Sequence, residues 1–372
     1  MVDPFSLSPP HVDAKVTVSV CDGARCCLEG DDEQQASESA PSSIGERLGP
    51  SPAEQVRNCQ CQRHRPKAQG VVDTTKGDST VTTRRIDIID IHVHVRTGDH
   101  AKVWERDRYV PANQEGFSDH PDAMADMYRE LNGMAVIFDI DDETRTGLKA
   151  SNEEIAQWVA RHPDVYIGFG SVDPWKGKAA IIEVERCAAL GLKGIKFHPA
   201  VQDFAPNDPR FFPLWETCAR LGLAVLFHSG TTMAGAGQPG GAGIRLEYGR
   251  PIPYIDDIAA RFPELRIIMA HPAWPWHEEQ LAILRHKPNV FMDLSGWAPK
   301  YIPESVIRYA NSLVQDKVFF GSDFPMLTPH RWLREFAELP IKDSVRPKIL
   351  RDNAARFLGL THLVEHALPA SE

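Results

Sequence analysis

The sequence lacks a long apolar run. Its 372 residues contain no stretch of about 18 apolar residues, the length that a helix needs to cross a bilayer. The first residues, Met1-Val2-Asp3-Pro4-Phe5, also lack the basic start and the apolar core of a secretory signal. These absences predict a cytoplasmic protein that has neither a transmembrane helix nor a membrane partner.

The sequence also lacks a basic stripe. Its formal net charge is −10, and its basic residues form only short pairs such as Arg84-Arg85. A nucleic-acid groove needs a positively charged face that binds phosphates. The charge balance therefore argues against a nucleic-acid partner, and we expect a small-molecule substrate instead.

Cysteine is scarce in the larger part of the chain. Only Cys187 and Cys218 follow residue 61, and both fall in apolar helical patterns, which predicts buried thiols. The other five are Cys21, Cys26, Cys27, Cys59 and Cys61. The spacing Cys59-x-Cys61-x-x-His64 fits no common zinc module. We interpret these five as solvated or packed thiols, with a structural metal as the alternative.

Residues 1–83 differ in composition from the rest of the chain. They are rich in Ser, Pro, Gln and acidic residues, and they contain one short alternating patch, Val16-x-Val18-x-Val20. Such a composition buries too little apolar surface to fold by itself. We predict a flexible or loosely docked N-terminal arm over 1–83 and a folded domain over 84–372.

The folded part alternates regularly between strand-like and helix-like segments. Eight short apolar segments read as strands, and each is followed by a helical pattern. The predicted strands are Ile86–His94, Met134–Ile140, Val165–Val172, Leu192–His198, Leu223–His228, Ile267–His271, Val290–Leu294 and Val318–Asp323. The long connection at 96–119 is expected to be functional, and a further helix is expected at Val345–Leu358. This alternation predicts an α/β fold, a (β/α)₈ TIM barrel.

The first strand carries the pair His92-x-His94. Side chains two residues apart in a strand point the same way, so Asp90, His92 and His94 are expected to share a face, with Ile91 and Val93 turned outward. Two imidazoles on one stiff element can converge on one divalent metal ion.

Four later strands end abruptly in a polar residue. In a barrel of this type, the carboxyl ends of the strands surround one opening where the chemistry takes place. Apolar Ile195 and Phe197 suit the layer under the helices, which turns Lys196 and His198 inward. The polar residues expected at this edge are Lys196, His198, His228, His271 and Asp323.

These motifs resemble the amidohydrolase-related branch of the amidohydrolase superfamily, which includes aminocarboxymuconate-semialdehyde decarboxylase. The resemblance covers about residues 86–360 and includes the His92-x-His94 pair, His228, His271-Pro272 and Gly321-Ser322-Asp323. It implies that His92, His94, His228 and Asp323 ligate a divalent metal, most commonly Zn²⁺, with Mn²⁺ or Fe²⁺ as alternatives. It further implies catalytic roles for Asp323 as a base and for His271 beside the substrate.

The resemblance also makes Lys196 and His198 candidates for a second metal or for substrate binding. In the two-metal members of the superfamily, a modified lysine on strand four bridges the ions. Lys196 lies on that strand, and His198 follows it. These two residues are therefore kept as candidates for a second metal or for substrate binding.

Ser229 to Arg250 forms a stretch with seven glycines and no periodic pattern. We interpret it as a mobile flap over the site. Its formal G-x-G-x-x-G at Gly235–Gly240 contains a proline and opens no helix, so a phosphate loop is the weaker alternative. Arg245 and Arg250 are candidate clamps for a substrate carboxylate, and Trp274 is a candidate pocket wall.

These observations leave several functions open. The principal expectation is a metal-dependent hydrolase that acts on a small carboxylate or acyl substrate through metal-activated water. The alternatives are a non-oxidative decarboxylase that uses the same site, a dinuclear-metal oxygenase subunit similar to 2-aminoisobutyric acid hydroxylase, and a non-catalytic partner of an active homologue. We expect a homodimer or a hetero-oligomer with a homologous subunit.

Overall fold

The fold is a parallel β-barrel. The computed structural model describes residues 85–106 and 117–364, and within them eight parallel strands follow one another in the order of the sequence. Short βαβ connections that always return in the same direction produce this order. The strands are β1 Ile88–His94, β2 Gly133–Phe138, β3 Tyr166–Ser171, β4 Gly194–Phe197, β5 Ala224–His228, β6 Ile267–Ala270, β7 Val290–Asp293 and β8 Val318–Phe319.

Backbone hydrogen bonds between the first strand and the chain after the last strand close the barrel. The Ile91 N–H donates to the Phe320 carbonyl over 3.0 Å, and the Asp323 N–H donates to the His92 carbonyl over 2.9 Å. The His94 N–H donates to the Phe324 carbonyl over 2.8 Å. The predicted (β/α)₈ barrel is confirmed.

Helices surround the sheet. In the described ranges they are α1 Gly98–Arg106, α2 Pro121–Glu130, α3 Glu143–Thr146, α4 Asn152–Arg161, α5 Lys178–Ala189, α6 Phe212–Arg220, α7 Tyr254–Arg261, α8 His277–His286, α9 Glu304–Ala310, α10 Pro329–Ala337, α11 Asn353–Leu358 and α12 Thr361–Val364. A π-helical turn, Lys348–Asp352, leads into α11. The Ser151 hydroxyl caps α4 by accepting from the Glu154 N–H, because Ser at this position satisfies a free N–H of the first turn. No helix in these ranges is long and apolar enough to span a membrane.

The apolar core has two layers. Ile195 and Phe197 of β4 belong to the layer between the sheet and the helices, as predicted. A second cluster fills the barrel, and Ala354 and Phe357 of α11 cover it from below. The inward residues of this cluster include Ile89, Ile91, Met134, Val136, Phe138, Phe169, Leu226, Ile268 and Phe319. Cys187 and Cys218 are buried free thiols, as predicted.

Strand β1 corrects one prediction. Its pairing with β2 shifts between Asp90 and Val93, which is a β-bulge that breaks the two-residue alternation. Asp90 therefore points outward, where the Tyr128 hydroxyl of α2 donates to it, while Ile91 lies inside the barrel. The predictions that Asp90 shares the face of His92 and His94, and that Ile91 points outward, were wrong.

Two element boundaries also differ from prediction. Strand β8 ends at Phe319 rather than at Asp323. Beyond Phe319, the chain contacts β1 through separate backbone hydrogen bonds that do not form a regular ladder. Helix α8 begins at His277 rather than at Leu281. The predicted N-terminal arm with its five cysteines, and the middle of the 96–119 connection, lie outside the described residues.

Candidate active site

One cavity of about 390 Å³ opens at the carboxyl ends of the strands. Six of the predicted site residues line it, which are His94, Lys196, His198, His228, His271 and Asp323. His92 lies directly behind them and is fully buried. The carboxyl ends of parallel strands meet at one rim, so residues that are far apart in sequence become neighbours here.

Three donor atoms converge at the base of this cavity. Asp323 Oδ1 lies 3.3 Å from His92 Nε2 and 3.1 Å from His94 Nε2. One ligand atom from each of these three residues lies within 4.8 Å of the others. Two imidazoles and a carboxylate are ligands that divalent transition metals accept.

The surroundings of His92 fit a metal ligand. Its Nδ1 lies 3.0 Å from Asp293 Oδ2, which holds the proton on that nitrogen and leaves Nε2 with a lone pair. Burial, together with the charge of Lys196, lowers the pKa of His92 to about 3, so the ring is neutral. A carboxylate behind a histidine is the usual support of a metal-bound imidazole.

The imidazole of His94 is also suited to bind a metal. Burial lowers the pKa of His94 despite the hydrogen bond to Asp323. Burial alone would raise the pKa of Asp323, but the hydrogen bond to His94 and the electrostatic influence of the neighbouring histidines hold it well below its usual range. The site thus offers two neutral nitrogens and one ionised carboxylate, which fit a divalent cation.

Asp293 on β7 is a residue that the sequence analysis missed. It accepts from the backbone N–H groups of His271, over 2.9 Å, and Ser295, over 3.0 Å, and from the Ser295 hydroxyl. Asp293 also forms a compact group with His92 and His271. Because Asp293 is fully buried and its oxygens already accept these bonds, we assign it a supporting role behind His92.

His271 and His228 form a pair next to the donor atoms. Ser295 Oγ lies 2.8 Å from His271 Nδ1, and His271 Nε2 lies 3.2 Å from His228 Nδ1. The His228 ring stacks on that of His198 with centroids 3.8 Å apart. His228 is not in either compact donor group found among the described residues, so its role as a metal ligand stays a prediction.

The backbone at two site residues is unusual. His271 and Asp323 both have a φ of +66°, which is rare for residues other than glycine and is concentrated at functional sites. Each of these residues ends an apolar segment and turns sharply into the rim. The turn aims both side chains at the cavity.

Lys196 lies in the interior of the site. Its Nζ is 3.3 Å from His92 Nε2 and 5.0 Å from the centre of the Phe138 ring. Burial lowers the pKa of Lys196 to about 8. Lys196 and His198 point inward as predicted, and their roles toward a second metal or a substrate stay predictions.

The sequence analysis also missed the residues of one cavity wall, which are Arg96, His100 and Asp142. His100 Nδ1 lies 3.1 Å from Asp139 Oδ2, and His100 Nε2 lies 3.1 Å from Asp142 Oδ1. Arg96 Nη1 lies 3.6 Å from Asp139 Oδ1. Arg96, His100 and Asp142 all line the cavity. The run of Asp139, Asp141 and Asp142 after strand two was the available sequence clue.

The predicted substrate clamps lie elsewhere. Arg245 pairs with Asp203 at 2.9 Å, and Arg250 pairs with Glu279 at 2.6 Å. Neither arginine, nor Trp274, is among the residues that line the cavity, and Trp274 is 49% exposed. Their substrate contacts stay predictions that this geometry does not favour. The flap does contribute to the cavity, through the segment 231–234.

The parallel barrel and the histidine and aspartate donors at its carboxyl rim define a class of metal-dependent barrel enzymes. The chain belongs to the amidohydrolase family, whose model matches residues 89–360. This finding confirms the resemblance drawn from the sequence.

A curated relative lies in the expected branch. The chain is 28% identical over 240 residues to 2-amino-3-carboxymuconate-6-semialdehyde decarboxylase of Dictyostelium discoideum. The match covers 56% of this chain and 65% of the length of that relative.

Solved structures share the fold. A TIM-barrel protein from Bordetella bronchiseptica is 24% identical with a TM-score of 0.62, over 74% of this chain and 99% of that chain. The 5-carboxyvanillate decarboxylase of Sphingomonas paucimobilis is 21% identical with a TM-score of 0.54 and the same coverage. A dihydroxybenzoic acid decarboxylase from a Polaromonas species, solved with bound manganese, is 17% identical with a TM-score of 0.53, over 74% of this chain and 98% of that chain.

Proposed function

We propose that this protein is a metal-dependent, non-oxidative decarboxylase that acts on a small conjugated carboxylic acid. The observation that carries the proposal is one cavity in which a metal donor set, His92, His94 and Asp323, faces a wall that bears Arg96 and His100. The name of the curated relative supports decarboxylation rather than the hydrolysis that we expected first.

The charges of the cavity favour an anionic substrate. Arg96 and Lys196 contribute positive charge, and His100 adds more because Asp139 and Asp142 raise its pKa. Asp142 and Asp323 are the carboxylates among the lining residues. A bound divalent cation would make the site net positive, and a carboxylate would then be attracted to it.

The size and the lining of the cavity favour a small molecule with an apolar body. Its volume lies at the lower end of the range of small-ligand sites. The apolar part of its lining consists of Ile140, Val201, Met233, Ala234, Trp297, Pro325 and Met326. A conjugated acid can place its body against these side chains and its charged groups toward the donor set and the cationic wall.

The reaction replaces a carboxylate by a proton. A proton is added to the carbon that bears the carboxylate, the bond between the two carbons then breaks, and its electron pair restores the conjugated system as CO₂ leaves. His271, linked to His228 and Ser295 by hydrogen bonds, is the residue that we assign to hold and deliver this proton. His92, His94 and Asp323 would hold a divalent ion, and that ion would supply Lewis acidity.

The metal and the assembly remain part of the proposal. Two histidines and a carboxylate accept Zn²⁺, Mn²⁺ or Fe²⁺, and the manganese in the Polaromonas structure makes Mn²⁺ a choice equal to Zn²⁺. The expectation of a homodimer, or of a hetero-oligomer with a homologous subunit, is retained on the resemblance alone.

The test is product analysis with a panel of small conjugated acids. The protein is loaded with Zn²⁺ or Mn²⁺ and incubated with each acid in D₂O, and CO₂ release and product deuteration are measured. We expect one CO₂ per turnover and one deuteron on the carbon that lost the carboxylate. Chelation should abolish both, and adding the metal back should restore them.

Other outcomes would identify other functions. Incorporation of ¹⁸O from labelled water without CO₂ release would overturn the proposal in favour of a hydrolase. Substrate-dependent oxygen uptake with iron in the purified protein would overturn it in favour of an oxygenase.

A further inference from the structure

A buried cluster lies behind the donor set, on the outer side of the barrel. It consists of Asp90 on β1, Tyr128 on α2 and Ser322 before Asp323. Asp90 and Ser322 are completely buried, as is Tyr128. None of the three lines the cavity, so they do not touch a substrate there. The mechanism proposed above assigns them no role.

The carboxylate of Asp90 connects the two chain segments that carry the donor atoms. Its Oδ1 accepts from the His92 N–H over 3.1 Å and from the Ser322 N–H over 3.0 Å. The Asp323 N–H in turn donates to the His92 carbonyl over 2.9 Å. These bonds fix the backbone of His92 relative to that of Asp323.

The β-bulge explains why such a connection is needed. At the bulge, one residue of β1 has no regular partner in β2, so the sheet alone does not determine how His92 is rotated. The N–H of His92 donates its hydrogen bond to the Asp90 carboxylate instead of to the neighbouring strand. The carboxylate therefore replaces the sheet as the constraint that aims the His92 ring into the barrel.

Tyr128 holds that carboxylate from the helix layer. Its hydroxyl donates to Asp90 Oδ2 over 2.7 Å. A buried carboxylate with several donors keeps one orientation, because each lost bond would leave a buried polar group unpaired. The cluster thus links α2, β1 and the segment after β8.

We propose that Asp90 and Tyr128 are positioning residues that set the spacing between the metal donors His92 and Asp323. This inference rests on the proposed metal-dependent function. Because outer partners of metal ligands change metal affinity by roughly 10-fold to 100-fold, their loss should weaken metal binding beyond any effect on folding.

The experiment compares Tyr128→Phe with Tyr166→Phe. Tyr166 is a matched control, since its buried hydroxyl also donates one hydrogen bond near α2, to the Pro121 carbonyl, but it has no link to β1. The Kd for Zn²⁺ is measured by competition with a chromophoric chelator, and Tm is measured on the metal-free proteins. We expect similar losses of Tm, and a several-fold rise in Kd for Tyr128→Phe alone.

Two substitutions at Asp90 provide a second measurement. An amide at this position still accepts the two backbone N–H groups and donates to the Tyr128 oxygen, so Asp90→Asn should retain Zn²⁺ affinity. Asp90→Ala removes all of these bonds and should raise the Kd by about tenfold or more. If Asp90→Ala does not fold, the comparison of Tyr128→Phe with Tyr166→Phe tests the inference by itself.

The outcomes separate this inference from the proposed function. An unchanged Kd in Tyr128→Phe, with only Tm reduced, would show that the cluster is merely structural and would overturn the inference alone. Wild-type protein that binds metal but releases no CO₂ would overturn decarboxylation and leave the inference intact.

Discussion

His100 is the clearest case in which a single residue is controlled by its neighbours. Burial alone would lower its pKa, but hydrogen bonds from both ring nitrogens to Asp139 and Asp142 outweigh that effect and raise the pKa to about 9. The ring is therefore charged at neutral pH. Since its folded pKa lies above its unfolded value, protonation of His100 stabilises the folded state.

This charge predicts a pH-dependent contribution to stability. The contribution should be fully present just below the unfolded pKa of about 6.5 and should disappear as pH rises toward about 9. We expect wild type to exceed His100→Gln in unfolding free energy by on the order of 1–3 kcal/mol at pH 6, and the difference to shrink through pH 7 to 9. Denaturant titrations across this range measure it.

The exposed residue His286 provides the control for that measurement. His286→Gln should change stability little and without the same trend. A difference between wild type and His100→Gln that stays constant from pH 6 to pH 9 would contradict the prediction.

At the residue scale, the sequence identified the candidate metal donors better than the residues that support them. His92, His94 and Asp323 stood out because metal-ligand types ended apolar segments. Asp293 did not, because a single acid inside the apolar strand Val290–Leu294 gives no spacing pattern. His100 could not be foreseen, since its partners follow a different strand and only the fold brings them together.

The turn after β7 controls the position of His271. Gly296 has a φ of +73°, and a Cβ added there would lie 2.6 Å from His271 Nδ1. A side chain at this position would therefore displace the ring. The position of the His271 ring therefore depends on the glycine in this turn.

We expect Gly296→Ala to reduce kcat strongly, by roughly two orders of magnitude, because a displaced His271 no longer reaches the substrate. Gly359→Ala is the matched control, since Gly359 has the same φ of +73° and open space around its Cα. Both variants should lose similar stability from the backbone conformation, of about 1 kcal/mol. Equal kcat values in the two variants would contradict the assignment of His271.

At the element scale, periodicity predicted the order and type of the elements but not their irregularities. The eight strands and the capping of α4 by Ser151 follow local rules that a sequence displays. The bulge at Asp90 does not, since the outward turn of Asp90 depends on Tyr128 and Ser322, which are distant in sequence. The orientation of the His92 N–H toward Asp90 belongs to this irregularity.

At the scale of the whole molecule, the core and the site occupy different levels of the barrel and meet at the Phe138 ring. The cluster that fills the barrel is apolar and is covered by α11 from below, whereas the donor residues lie at the opposite rim. The layer between the sheet and the helices is larger still. Burial of this apolar surface dominates folding, so we expect the barrel to fold without a metal.

This separation predicts the behaviour of the double variant His92→Ala with His94→Ala. Asp293 loses its ring partner but keeps the N–H groups of His271 and Ser295. His94 Nδ1 has no hydrogen-bond partner to lose, but the double variant takes from Asp323 its contacts with both rings, at 3.3 Å and 3.1 Å. We expect a folded protein with an unchanged circular dichroism spectrum and a modest loss of Tm.

The response to metal distinguishes the double variant from wild type. At a metal concentration of about 100 times Kd, binding stabilises the folded state by about 2.7 kcal/mol, which raises Tm by roughly 4–5 °C for a domain of this size. Wild type should show this rise, and so should the exposed-histidine control His286→Ala with His362→Ala. The double variant should show no rise and no CO₂ release. A metal-dependent rise in its Tm would place the metal elsewhere, because a site that survives the loss of both nitrogens cannot be the one at the end of β1.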